Sequence, residues 1–202
     1  MGSNNPWLLV IMIVAGAVVA RWWWQDLQVA RQGPARGFPG ATPASGRAVA
    51  IAATGALVLV ALETAGESAL GLAGQQSRMT GLFGLYTLVA AFMEELVFRG
   101  YLVVENRGRA ALWAGIVGTS LLFALLHPFL WEWRDGALHP QLNAKGWFST
   151  GAVLAASLWF YAVRVLSMNP TRSLLPCIAA HLAKNLAVIG IKAAQGFIGG
   201  WW

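Results

Sequence analysis

Ionisable side chains set inside long apolar stretches are the first chemistry this sequence offers. One stretch reads Phe92-Met93-Glu94-Glu95-Leu96-Val97-Phe98-Arg99-Gly100, a second Phe123-Ala124-Leu125-Leu126-His127-Pro128, and a third His181-Leu182-Ala183-Lys184-Asn185. A charged group at depth in a bilayer is costly unless paired or hydrated, so each of these needs a partner or a task. In each stretch two residues stand four apart, about one helical turn, and therefore face the same way. Glu95 and Arg99 form such a pair in the favourable order, acid first, and are assigned to mutual neutralisation and positioning. Glu94 lies about 100° round the helix from Glu95. It is left free to face other helices, and Ala90 and Ala91 one turn earlier leave room for water or a peptide. His127 shares a face with Phe123, and Pro128, with no backbone N–H to donate, is expected to bend the helix just after the histidine. His181 shares a face with Asn185, with Cys177 one turn earlier.

A bundle that gathered these groups would hold one free carboxylate, two imidazoles and an amide. A carboxylate with a histidine can hold and deprotonate a water. A histidine and an asparagine side chain can donate hydrogen bonds to a developing oxyanion. That set suffices for amide hydrolysis without a covalent intermediate. Zinc is the alternative chemistry, because two histidines and a glutamate can make a catalytic site for it. No His-Glu-x-x-His helix is present and the three groups come from three stretches, so the metal-free reading is preferred. Taken singly, Asn185 reads as interhelical glue and Phe123 as packing. Cys177 reads as a small packing residue rather than the poised thiolate that a Cys–His protease needs. Lys184 lies close to the His181 face without an assigned role, and His139, in a polar loop, is expected to be solvated.

The elements that must position these groups follow from composition. The chain has 202 residues, 57% of them hydrophobic and only 11% charged, whereas a soluble domain carries about 25% charged residues. The apolar residues come in blocks near the ~20 residues that cross a bilayer. Six spans are read: about Trp7 to Trp24, Ala48 to Leu62, Gly81 to Val104, Ala111 to Leu130, Phe148 to Leu166 and Ser173 to Ile198. The segment Gln25 to Arg47 is expected to be an irregular linker, Glu63 to Thr80 a polar connection, Asn106 to Arg109 a short basic turn and Trp131 to Trp147 a polar loop. Asn169-Pro170 breaks the fifth span. The fold class is therefore all-α, a polytopic transmembrane helix bundle. It forms one integral membrane domain over 1–202, with a motif-bearing core at about 81–198. The first span lacks a basic leading region and a small-residue cleavage site, and so does not read as a cleavable signal.

The net charge of +6 does not point to nucleic acid, because the basic residues are scattered through short connections with no basic stripe. They orient the chain instead. Arg31, Arg36, Arg47, Arg107, Arg109 and Arg172, with Arg21 and Arg164 at adjoining span ends, fall on one side. Arg78, Arg134, Lys145 and Lys192 fall on the other. The bias favours an external N-terminus with the first, third and fifth connections cytoplasmic, in a cell membrane. Trp22, Trp23, Trp24, Trp131, Trp133, Trp201 and Trp202 lie at predicted span ends, where indole rings favour the headgroup region. The single cysteine allows no intrachain disulfide.

With order and spans in place, Glu94-Glu95-x-x-x-Arg99, Phe123-x-x-x-His127 and His181-x-x-x-Asn185 resemble the three motifs of the CPBP family. That family includes the CAAX prenyl endopeptidases and the bacteriocin-processing or self-immunity proteases, also called glutamic-type intramembrane proteases. The string Glu-Glu-Leu-Val-Phe-Arg-Gly-Tyr-Leu is typical of it, and the resemblance runs from Glu94 to Asn185. It implies that Glu94 and His127 activate the water, that His181 and Asn185 stabilise the tetrahedral oxyanion, and that Glu95, Arg99 and Phe123 support them. It implies no cofactor, and a membrane-anchored or lipid-modified protein as substrate. Members close to the CAAX endopeptidases cut a short peptide after a prenylated cysteine, while bacterial relatives often have other substrates, some of them beside C-terminal sorting systems. Two other classes compete: a non-catalytic immunity or scaffolding partner that binds a peptide in the same cavity, and a proton-coupled carrier, which no inverted repeat supports.

Overall fold

The computed structural model describes residues 5–33, 37–105 and 107–201. Arg36 and Trp202, read above as an orienting charge and a span-end indole, lie outside the described residues, as does Asn106. Among those described, six helices are long and apolar enough to cross a membrane. They are α1 (Pro6–Ala30), α2 (Gly46–Ala69), α3 (Gly81–Glu95, continued by a π-helical turn over Leu96–Tyr101), α4 (Arg109–Leu126), α5 (Ala144–Val165) and α6 (Leu175–Ala194). The chain is an all-α polytopic bundle. The starts are written locally: Asn5, Ser45, Thr80 and Asn143 accept backbone N–H groups of the first turns of α1, α2, α3 and α5, and Pro6 and Pro176 stand where no N–H is needed.

Three of the helix ends that differ from the sequence expectation have a clear physical reason. α1 runs six residues past Trp24, so the triple tryptophan is not the helix end. Leu27 is fully buried there, and Asp26 accepts the backbone N–H of Phe38 at 2.8 Å, so this turn is packed helix rather than linker. α2 continues through Glu63 and Glu67 to Ala69 because both acids find cations: Glu63 meets Lys184 at 3.7 Å, and Glu67 takes Lys145 and Gln76. It stops at Gly71, whose φ of +67° permits the left-handed turn. The Leu72 N–H then reaches back to Glu67 O at 2.8 Å. α4 ends at Leu126, four residues early. A residue before proline is pushed out of the α region, so Pro128 terminates the helix rather than bending it, and His127 sits at φ −76°, ψ 132°.

The polar loop after α4 also contains an unexpected antiparallel hairpin, β1 (Trp131–Arg134) and β2 (Ala137–Pro140). Its turn is Asp135-Gly136, both at positive φ, as a two-residue hairpin turn with this dipeptide requires. His139 lies on β2 and is half-buried rather than freely solvated.

α6 packs on α2, α3 and α5; α1 covers α3, and α4 covers α5. Ala52, Ala56, Ala156 and Ala180 are buried at these contacts, which lets the backbones approach. The larger core side chains around them include Trp23, Phe92, Leu96, Phe160 and Leu174. The connections before α2 and before α6 clasp each other: Leu174 N–H donates to Gly40 O, Thr42 to Thr171 O, and Ser173 to Thr42 O. At the other end the C-terminal strand-like tail receives the start of α3, with Gly81 N–H on Gly200 O and Leu82 N–H on Trp201 O. Asn169 organises the clasp. Its amide donates to Val163 O at 3.1 Å and Ser173 O at 2.8 Å, and its carbonyl accepts Ser173 N–H at 3.0 Å. Asn169→Ala strands these buried groups and is expected to cost about 2–4 kcal/mol, from ~1–3 kcal/mol per unsatisfied group. Thermal and denaturant unfolding in detergent would read this, and an unchanged midpoint would show that the clasp adds nothing.

Candidate active site

Arg99 is the centre from which the site is built. It is fully buried, and a buried guanidinium is costly unless donors and faces find partners; both terminal nitrogens find them, while Nε has none among the described residues. Nη1 donates to Glu95 Oε1 at 3.1 Å, one turn back on α3; Nη2 donates to Ser157 Oγ at 2.5 Å and Ser157 O at 3.3 Å on α5. The rings of Phe123 and Tyr161 lie 4.6 and 4.8 Å from its central carbon, close enough for cation–π attraction. The expected Glu95–Arg99 pair is therefore present. Phe123 is more than packing, since its ring joins α4 to that cation.

The backbone beside Arg99 is irregular. The helix widens over Leu96–Tyr101, where Leu102 N–H bonds Val97 O five residues back at 2.9 Å. The last carbonyls of a helix lack intrahelical partners. Here Tyr161 O–H donates to Phe98 O at 2.5 Å and Arg164 Nε to Arg99 O at 3.1 Å, both from α5. Ser157 and Tyr161 have no role in the sequence reading, and Arg164, read there as an orienting charge at a span end, is buried and turned to Arg99 O instead. Their spacing of four and three residues, a polar face on an apolar helix, was the signal.

Glu95 turns its Oε1 to a second partner, His181 Nδ1, at 2.8 Å. That bond orients the imidazole, which is also stacked on Phe160 at 4.7 Å. The opposite nitrogen, Nε2, lies 3.7 Å from Glu94 Oε2, too far for a direct hydrogen bond. Glu94 is the open member of the pair, its side chain 33% exposed where Glu95 is closed off. It lines a pocket of about 270 Å³ together with Phe98, Phe123, Leu126, His127 and Pro128.

His127 reaches that pocket because α4 stops there. Its own N–H turns to Ala124 O, which leaves Phe123 O without its ordinary helical donor. The His127 ring fills the gap, Nδ1 to Phe123 O at 2.8 Å. Against a carbonyl, Nδ1 must carry the hydrogen, so in the neutral ring Nε2 keeps its lone pair. Asn185 is placed otherwise. Its Nδ2 donates to Thr87 O on α3 at 3.0 Å, and it is not among the residues lining the Glu94 pocket. Lys184, one turn beyond His181, is held by Glu63. Cys177 is fully buried with its thiol on Phe160 O at 3.3 Å. Among the described residues, no three His, Cys, Asp or Glu side chains are grouped so as to hold a metal ion.

The multi-pass membrane bundle thus brings an intramembrane carboxylate, Glu94, to one pocket with the His127 imidazole, and sets the His181 imidazole 3.7 Å from that carboxylate. The chain belongs to the Rce1-like type II CAAX prenyl endopeptidase family, whose model matches residues 76–187. That span contains Glu94, Glu95, Arg99, His127, His181 and Asn185, and the family is one of CAAX-type intramembrane proteases. No curated protein and no solved structure matches the chain. Because Arg99 and Glu95 compensate each other, Arg99→Met alone is expected to destabilise by about 3–5 kcal/mol. Adding Glu95→Gln should recover part of that loss. Strictly additive losses in this double-mutant cycle would show that the pair is not coupled.

Proposed function

We propose that the chain hydrolyses a peptide bond in a membrane-anchored or lipid-modified protein, using water activated at Glu94 and His127. The observation that supports this reading best is the pairing at one pocket of a partly open carboxylate, Glu94, with an imidazole whose Nε2 lone pair is free, that of His127. Glu94, as carboxylate, takes a proton from the water while His127 Nε2 accepts its second hydrogen bond. The oxygen adds to the scissile carbonyl carbon, and the C=O electron pair moves onto its oxygen. In the doubly protonated form of His181, Nδ1–H stays on Glu95 and Nε2–H is the donor for that oxyanion. Asn185 carries two amide N–H groups; one is used on Thr87 and the other is the second donor in this reading. Collapse of the intermediate breaks the C–N bond, and the proton held by Glu94 passes to the leaving nitrogen. Glu95, Arg99 and Phe123 position these groups without touching the substrate. The reading places the enzyme in a cell membrane, where the substrate reaches it by lateral diffusion.

Glu94→Gln is expected to lower cleavage by ~10²–10⁴-fold, the usual scale for loss of a general base, with insertion and thermal stability kept. Comparing membrane-protein termini in cells that carry wild type or this variant at matched levels checks it. Termini found only with wild type support the reading and name the substrate, while equal termini for both would overturn it. The chemistry uses no metal, so exhaustive chelation should leave the rate of the purified enzyme unchanged. Loss of activity on chelation with recovery on adding zinc would replace this mechanism by a metal-dependent one.

A further inference from the structure

The β1–β2 hairpin is not used by the chemistry above, and its two faces are unlike. Cross-strand pairing puts Trp131 opposite Pro140 and Trp133 opposite Leu138, and residues directly paired or two apart share a face. One face is therefore Trp131, Trp133, Leu138 and Pro140, and the other Glu132, Arg134, Ala137 and His139. Among the described residues nothing covers the first face fully: Trp133 is 54% and Leu138 56% exposed. A free two-stranded hairpin is marginal in water, yet this one is held in place. Trp131 Nε1 donates to Leu125 O at 2.8 Å, and Gln141 N–H closes its base on Leu130 O at 2.6 Å.

What covers the apolar face is indicated by its continuity with the lipid-facing surface. The hairpin lies between the end of α4 and the start of α5, two membrane spans, and so sits at a bilayer boundary. The exposed Leu121, Leu122, Leu125 and Leu126 of α4 run toward it, and Trp147 in the first turn of α5 is exposed as well. An indole with one wet edge suits that depth.

We infer that the hairpin is an interfacial membrane anchor, with Trp133 and Leu138 set among the lipid chains near the headgroups and Glu132 and Arg134 turned to water. Since it hangs from Leu125 O, it fixes the level of the α4 end, and with it His127, relative to the bilayer. This inference does not rest on the proposed hydrolysis.

The test uses the full chain in phosphatidylcholine vesicles, in a Cys177→Ala background. Trp133→Cys, Leu138→Cys and Arg134→Cys each carry an environment-sensitive NBD label. The labels at 133 and 138 are expected to be quenched several-fold more by shallow lipid-borne doxyl groups than by aqueous iodide, and the label at 134 the reverse. Equal iodide quenching at all three sites would overturn the anchor. Protection of 133 and 138 from both quenchers would overturn it too, in favour of a protein contact. Leu138→Cys keeps the indole, so failure of Trp133→Cys to insert still leaves a reading.

Discussion

A guanidinium closed off inside a membrane bundle is costly unless protein meets its terminal donors and its faces, and Arg99 imposes that condition on three helices at once. Its edge donors go to Glu95 on its own helix and to Ser157 on α5. Its faces take Phe123 of α4 and Tyr161 of α5. The arrangement reaches the fourth helix through the carboxylate, because Glu95 also holds His181 of α6. A planar group with several fixed donors sets direction as well as attraction, which a point charge such as lysine would not. Glu94, next in sequence to Glu95 and turned away from it, is thereby aimed at the space between α3, α4 and α6.

Irregular backbone is tolerated at membrane depth only where something else supplies the missing hydrogen bonds. Both irregularities here flank the candidate site. The widened turn after Glu95 exposes Phe98 O and Arg99 O, and Tyr161 and Arg164 satisfy them. The stop at Pro128 exposes Phe123 O, and the His127 ring satisfies it. In the second case the repair of a helix end also selects which imidazole nitrogen is free, so a backbone constraint becomes a chemical property.

A separate polar seam holds five further charges of the spans. Glu63 holds Lys184, Glu67 holds Lys145 and Gln76, and Lys192 rests on the Ser77 carbonyl. These contacts tie α2 to α5 and α6 near one end of the bundle, while the Asn169 clasp ties the loops at the other. Lys184 is thus committed to α2 although it lies one turn from His181.

The bundle was readable in the sequence because apolar length and scarcity of charge do not depend on partners, and the Glu95–Arg99 pair because four residues is a property of one helix. Helix ends were misjudged wherever a partner decided them: the last two turns of α2 read as a connection until Lys145 and Lys184 neutralise their acids. The hairpin carried a local Asp135-Gly136 signal inside a segment taken as loop. Only the tertiary structure decided which nitrogen each histidine offers, that Glu95 serves His181 as well as Arg99, and that Asn185 rests on Thr87. The His181 and Asn185 contacts join helices far apart in sequence, and periodicity along one helix says which face a residue occupies but not what meets it there; the His127 contact is local, but it exists only because the helix stops at Leu126.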